Sequence, residues 1–404
     1  MKKTHIYVLL WWLVVSLGAR AETWRAAPEY PLLTQSVQAG IDIWRFSPRV
    51  PDMNLNMANN SQSAFRPESP WAVLDGRLAM SKNLVLSLKA RADQGMGQHV
   101  DELSADWAYS PSFGFKAGVV SYKTSWCRIY DVDSPWVREN DPFCSSAIAN
   151  ESSGGAPGMQ AYVNLRREPY RVQAIVGTYR PLLFNYNSKE FSNLRYANSQ
   201  VSGNDKQGAS LSLLHELTAT ELRIGVLGAK QSARVKADGR DEIDHVNQDS
   251  GIVFAGLSFY AAPKLNVRVQ TLRHETTSHR WTPLYSTYPH YLSGLEALRQ
   301  SDVLELNYQH GIHDVLALAV SRYSYNSTSI QTKYPEVGYV GSVGFPYLLR
   351  SLSASWRHDW EGGVYTAIQW TYSQVRAEAF QEPNSSSFAY RNAHGLGLRL
   401  AYRF

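Results

Sequence analysis

The sequence predicts an all-β fold: a transmembrane antiparallel β-barrel of about sixteen strands, within a range of roughly fourteen to eighteen. Three observations carry this. Leu396, Leu398, Leu400, Tyr402 and Phe404 occupy alternate positions, with Gly397, Arg399, Ala401 and Arg403 between them. Side chains on a strand point to opposite faces at successive residues, so one face is wholly apolar and the other small or cationic. Similar alternation recurs along the chain, yet no stretch beyond the N-terminal leader approaches the ~18 consecutive apolar residues of a helical span. Tight turns and long polar loops also alternate, as in barrels with short periplasmic turns and long extracellular loops.

Residues 1–21 read as a cleaved signal peptide. Lys2 and Lys3 lead into an apolar stretch from Ile6 to Gly18, followed by Ala19-Arg20-Ala21 as an A-x-A site. A short Pro-containing lead-in spans 22–36, and a single barrel domain spans 37–404. Export, together with a membrane-type final strand, places the chain in the Gram-negative outer membrane. Only helices and closed barrels satisfy every backbone group in lipid, and the competing fold is a soluble periplasmic sandwich. The mean hydropathy of −0.33 does not argue against a barrel, whose alternation averages its membrane signal away.

The formal charge of +5 falls to +2 without Lys2, Lys3 and Arg20, too small an excess to indicate a nucleic-acid partner. Cys127 and Cys144 are the two cysteines, in one polar segment of an exported chain. A disulfide is the natural reading. It would close a loop of about 18 residues and contribute on the order of 3 kcal/mol. Two free thiols or a transient redox pair are the alternatives.

Strands are expected near 37–46, 71–80, 84–92, 100–109, 113–123, 159–167, 170–179 and 208–217, then near 221–230, 252–260, 265–273, 302–309, 315–325, 347–358, 364–374 and 396–404. Leu84, Leu86, Leu88, Ala90 and Ala92 form one face of the third, opposite Lys89 and Arg91. Leu103, Ala105, Trp107 and Tyr109 oppose Glu102, Ser104 and Asp106 in the fourth. Leu222, Ile224 and Val226 oppose Glu221 and Arg223 in the ninth. Ser81-Lys-Asn83, Ser110-Pro-Ser112, Glu168-Pro169, Ala261-Ala-Pro263 and Gly362-Gly363 are tight turns. Long polar loops are expected at 47–70, 124–158, 180–207, 231–251, 274–301, 326–346 and 375–395. A Greek-key sandwich has no reason to keep this one-sidedness.

In a large barrel the apolar face meets lipid and the charged face lines a wet lumen. By alternation the inward cations are Arg77, Lys89, Arg91, Lys116, Arg166, Arg171, Arg223 and Arg268, with Arg322, Arg350 and Arg399. The inward carboxylates are fewer: Asp42, Asp75, Glu102, Asp106 and Glu221. That excess favours a weak anion preference. Trp107, Tyr109, Tyr260, Tyr323, Trp370, Tyr372, Tyr402 and Phe404 fit outward aromatic girdles.

Leader, strand number, one-sided loops and the terminal Tyr402-Arg403-Phe404 together resemble the general-porin superfamily of Gram-negative outer membranes, over essentially the whole mature chain. The resemblance implies a water-filled channel for passive diffusion of ions and small hydrophilic solutes. It also implies a homotrimer, contact with outer-membrane lipid and lipopolysaccharide, and a third long loop folded inward. Tyr402 and Phe404 would be read by the outer-membrane assembly machinery. The third long loop here is 124–158. Its Arg128, Asp131, Asp133, Arg138, Glu139 and Asp141 would set a transverse field against the cationic wall. The alternative is a stapled extracellular loop that never enters the lumen.

No catalytic, cofactor or metal motif is evident. The dipeptides His313-Asp314, His358-Asp359 and Asp244-His245 are poor catalytic pairs, because neighbours on a strand face opposite ways. Neither G-x-S-x-G nor H-E-x-x-H occurs. A substrate-specific channel, such as one for sugars, and a surface adhesin are the rival functions, with a barrel enzyme more distant.

Overall fold

A computed structural model of the chain describes residues 31–47, 66–67, 70–93, 97–121, 126, 133–137, 141–143, 155–179, 196–203, 206–237, 243–284, 288–332, 340–344, 347–377 and 390–404. The expected signal peptide lies outside these residues, as do Cys127, Cys144, Arg128, Asp131, Arg138 and Glu139.

The strands are β1 (Leu32–Ser47), β2 (Arg66–Pro67), β3 (Trp71–Ala79), β4 (Leu84–Asp93), β5 (Gly97–Ser110) and β6 (Phe113–Ser121). They continue with β7 (Gly155–Arg167), β8 (Tyr170–Tyr179), β9 (Tyr196–Gly203), β10 (Lys206–His215), β11 (Thr220–Ala237) and β12 (Ile243–Ala262). The last are β13 (Leu265–Leu284), β14 (Tyr288–His310), β15 (Asp314–Thr332), β16 (Val340–Gly344), β17 (Tyr347–Asp359), β18 (Val364–Ala377) and β19 (Tyr390–Arg403). All pair antiparallel in one sheet. The short β2, β9 and β16 prolong β3, β10 and β17 along the same neighbours. Sixteen staves result, and β1 pairs with β19 to close the barrel.

The sheet is inside-out relative to a soluble protein. Leu396, Leu398, Leu400 and Phe404 are 41–59% exposed on the outer face, while Arg399 and Ala401 between them are 3% exposed inside. One outer row crosses five staves: Val269, Leu304, Val320, Leu352 and Tyr372. The next outer row, away from the short turns, is wholly polar: Thr271, Asp302, Arg322, Arg350 and Gln374. The edge of the apolar band falls between the two.

Several expectations need correction. The loops expected at 231–251, 274–301 and 326–346 are largely strand, because β11 to β15 each run 18 to 23 residues. At ~3.4 Å per residue they reach roughly 60–80 Å, well beyond the ~30 Å hydrocarbon layer even when tilted. Past the bilayer both faces are wet, so the alternation that marks a strand vanishes from the sequence. β1 begins at Leu32, so 32–36 of the lead-in is strand, its start masked by the polar Thr34-Gln-Ser36. The third long connection is 122–154, since Gly155-Ala-Pro-Gly158 opens β7; a Cβ on Gly158 would lie 2.4 Å from the Thr178 carbonyl, so a close neighbour dictates that glycine.

Arg322 and Arg350 face outward, not into the lumen, and Tyr323 faces inward at 5% exposure. The run Val315-Leu-Ala-Leu-Ala-Val320 is apolar on both faces, so it carries no phase. Small Ala317 and Ala319 take the inner side, which turns Leu316, Leu318, Val320 and then Arg322 outward.

Closure is clasped by an inner ion pair. Arg399 on β19 donates from Nε and Nη2 to the two carboxylate oxygens of Asp42 on β1, at 2.8 and 3.0 Å. Its guanidinium lies 5.5 Å from the Trp71 ring. Trp71 in turn sits over Gly40, where a Cβ would come within 2.6 Å of it. Loss of one partner of such a buried pair costs about 3–5 kcal/mol. Asp42→Asn is therefore expected to lower the urea midpoint at which the fast-migrating folded band disappears from unboiled gels.

Candidate functional site

The register fixes the inner face around the whole circumference. Arg77, Lys89, Arg91, Lys116, Arg166, Arg171, Arg223 and Arg268 all lie on it, as do Asp42, Asp75, Glu102, Asp106 and Glu221. Five of the eight cations are paired. Lys116 meets Glu102 at 2.6 Å, Arg91 meets Asp101 at 3.1 Å and Arg223 meets Glu221 at 2.5 Å. Arg268 meets the fully buried Glu305 at 3.4 Å, and Arg166 meets Glu216 at 3.1 Å. Arg77, Lys89 and Arg171 are exposed and form no ion pair among the described residues.

Three pieces of the connection after β6 lie against the inner wall. The Trp126 amide donates to Gln270 Oε1 at 2.8 Å. Its ring meets Phe143 edge-on at 5.9 Å and the Arg223 guanidinium at 5.8 Å. It occupies space left by Gly256, where a Cβ would lie 2.9 Å from the indole. Trp136, fully buried, donates its indole N–H to Glu305 Oε2 at 3.0 Å and packs on Ala317 and Ala319. The Val137 amide donates to Gln369 Oε1 at 2.8 Å, with Ala367 beneath the side chain.

Further along, the Pro135 carbonyl accepts from Ser355 and the Asp133 carbonyl accepts from Arg357. The Asp133 carboxylate accepts from Arg403 at 2.7 Å. Arg403 is the last residue of β19, at the short-turn end, so Asp133 lies near that mouth. Asp141 is 1% exposed and accepts the Phe143 amide at 2.9 Å, an internal tie of the connection.

The anchors were not apparent in the sequence. Their one signal was the small or amide residues on inner positions, Gly256, Ala317, Ala319, Ala367, Gln270 and Gln369, which mark sockets and backbone receptors.

The consequence is a lopsided interior. On β12 to β19 the inner polar residues Gln270, Glu305, Ser355, Arg357, Gln369 and Arg399 are all under 10% exposed. On β3 to β10, Arg77, Lys89, Arg166 and Arg171 are exposed, and Tyr162, Asn164, Gln173 and Ser212 are half-exposed. Tyr162 donates to Asp106 at 2.6 Å, and Gln173 donates to Asn164 at 2.9 Å, which makes a hydrogen-bonding shelf on this wetter side.

Among the described residues neither His313-Asp314 nor His358-Asp359 forms a pair within itself; the side chains of Asp244-His245 lie outside them. Instead His358 Nδ1 lies 2.8 Å from Asp314 Oδ1 across two strands of the outer face. Trp356 donates to the same oxygen at 2.8 Å, and Trp360 packs edge-on to His358 at 4.4 Å. The Thr366 hydroxyl opposite is taken by the Trp360 indole at 2.9 Å. The group sits at the short-turn rim, where aromatic and imidazole rings bridge lipid and water. At the C-terminus, the rings of Tyr402 and Phe404 meet edge-on at 4.3 Å, and the Phe404 amide donates to the Val37 carbonyl at 2.8 Å.

No family profile and no curated protein matches the chain. Its fold matches that of OprB from Pseudomonas putida, over 92% of this chain and 94% of that one, at 10% identity and a TM-score of 0.52. It also matches the outer membrane channel DcaP of Acinetobacter baumannii, over 92% and 97% of the two chains, at 9% identity and a TM-score of 0.50. The fold is therefore that of the outer-membrane porin-type barrels. Within that class this chain is a sixteen-stave barrel with segments of the β6–β7 connection seated on one half of its inner wall.

Trp136→Ala would remove the indole donor to Glu305, which keeps Arg268, and with it the central anchor of the connection. The expected outcome is a higher and noisier single-channel conductance with an unchanged folded band on gels.

Proposed function

We propose that the chain is an outer-membrane porin, a water-filled channel for passive diffusion of ions and small hydrophilic solutes with a weak preference for anions. The connection 122–154 narrows the lumen, and solutes pass between it and the wall of β3 to β10. The observation that carries this reading is the lopsided interior: the inner residues Gln270, Glu305, Ser355, Arg357 and Gln369 on β13 to β18 are buried, each bonded to an inserted segment, while the inner cations Arg77, Lys89, Arg166 and Arg171 on β3 to β8 are exposed, beside the buried Ser104, Gln160 and Tyr179.

On this wall Arg77, Lys89 and Arg171 form no ion pair among the described residues, against the carboxylates Asp75 and Asp106. Three cations against two carboxylates leave a small positive excess, and lumen charge selects ions by its sign. The pairing of Lys116 with Glu102 and of Arg91 with Asp101 removes those cations from the balance. A disulfide between Cys127 and Cys144 stiffens the loop, and Arg128, Asp131, Arg138 and Glu139 add charge to it. The reading implies no catalytic step and no cofactor. It implies a homotrimer in outer-membrane lipid and lipopolysaccharide, with Tyr402 and Phe404 presented to the assembly machinery.

The test is single-channel recording of the refolded mature chain in a planar bilayer under a salt gradient. Stepwise conductance with a reversal potential on the anion-selective side is expected. The triple substitution Arg77→Gln, Lys89→Gln and Arg171→Gln should carry the reversal potential through zero to the cation side. Reductant should change the open-state noise if the two cysteines staple the constriction. Silence from folded protein would overturn the channel reading in favour of a surface adhesin or a closed specific transporter.

A further inference from the structure

Arg322 and Arg350 are the two cations that the inner-wall reading misplaces, and their actual position has its own chemistry. They are directly opposite each other on β15 and β17, side by side on the outer surface, and both are exposed. The positions immediately below them toward the short turns are Val320 and Leu352, 52% and 36% exposed. The two guanidinium groups therefore stand at the edge of the apolar band, on the long-loop side.

Like charges directly opposite on a sheet repel, by on the order of 0.2–1 kcal/mol. Neither arginine has a side-chain ion pair or hydrogen bond among the described residues, so the repulsion is offset only in part, by one nearby carboxylate. The one acid in the row, Asp302, lies opposite Arg322, but its carboxylate accepts from Thr271 at 2.7 Å and from Gln300 at 3.0 Å. By contrast Arg273, one row further out, is neutralised by Glu275 at 2.5 Å. Two arginines whose Cα atoms the antiparallel pairing holds about 5 Å apart, with apolar surface beneath and water above, match a phosphate group carried on acyl chains.

We propose that Arg322 and Arg350 form an external binding site for a phosphate of lipid A, the phosphorylated glycolipid of the outer leaflet. Its acyl chains would lie along Val320, Leu352 and Leu304. The choice of leaflet rests on the outer-membrane orientation proposed above, but the site is independent of whether the lumen conducts.

The experiment is native mass spectrometry of the folded, delipidated protein in detergent, titrated with bisphosphorylated lipid A. Parallel titrations use the same lipid stripped of phosphate and phosphatidylglycerol. Arg322→Gln/Arg350→Gln is expected to weaken lipid A binding on the order of tenfold or more, given the strength of bidentate arginine–phosphate bonds. Arg273→Gln should leave it within about twofold, as for an arginine already held by a carboxylate. Heat-modifiable gel mobility verifies that each variant is folded, and conductance of the same samples reads the channel separately.

Equal binding by the double variant, or by dephosphorylated lipid A, would overturn the site. Phosphatidylglycerol binding as tightly as lipid A would overturn the assignment to that lipid. Loss of oligomers in the double variant, with no lipid bound to wild type, would replace the site by a contact between copies of the chain.

Discussion

The pairing of β1 with β19 is the constraint on which everything else in this barrel depends. A sheet in lipid has no water to satisfy an open edge, so the first and last staves must find each other before the structure is viable. The chain secures that seam from inside. Asp42, Arg399, Trp71 and Gly40 interlock where the ends of the sequence meet, as a charge pair shielded by an indole and bedded on a glycine. The same seam ends in Phe404, whose amide reaches back to Val37. Closure then defines an inside, and only with an inside defined do the charges on alternate residues acquire a common lumen.

That interior is divided into halves with different physics. Over β12 to β19 the polar side chains act as receptors for backbone and indole groups of the β6–β7 connection. Gln270 and Gln369 each accept an amide of that connection, and Glu305 accepts the Trp136 indole while meeting Arg268. Buried amides and carboxylates are tolerable only because each is bound. Over β3 to β8 Arg77, Lys89, Arg166 and Arg171 stay exposed, and Arg77, Lys89 and Arg171 form no ion pair among the described residues.

Much of this was legible in the residues, for reasons that also mark where legibility stops. In Leu84–Ala92, Leu222–Val226 and Leu396–Phe404 one face is apolar and the other is not, so inside and outside can be read directly. Val315–Val320 offers apolar residues on both faces, and the phase was lost there. Alternation therefore puts Arg322 and Arg350 inside and Tyr323 outside, the reverse of where they lie. The alternate serines Ser351, Ser353 and Ser355 carried the correct phase, since they are the inner positions of β17. The outer reaches of β11 to β15 were invisible because water bathes both faces. The anchoring of Trp126 and Trp136 was invisible because it joins residues 144 and 169 positions apart, which no local pattern encodes.

The one-sided seating of the β6–β7 connection has a mechanical consequence. A hollow cylinder in a bilayer carries lateral pressure, and its resistance depends on internal bracing. Here the braces bear on β13, β14, β17, β18 and β19, so that arc behaves as a stiffened shell. The arc from β3 to β10 is tied across its strands by side-chain pairs such as Tyr162 with Asp106, Gln160 with Tyr179 and Lys116 with Glu102. Lateral pressure on the C-terminal arc is met by packed side chains as well as by the sheet.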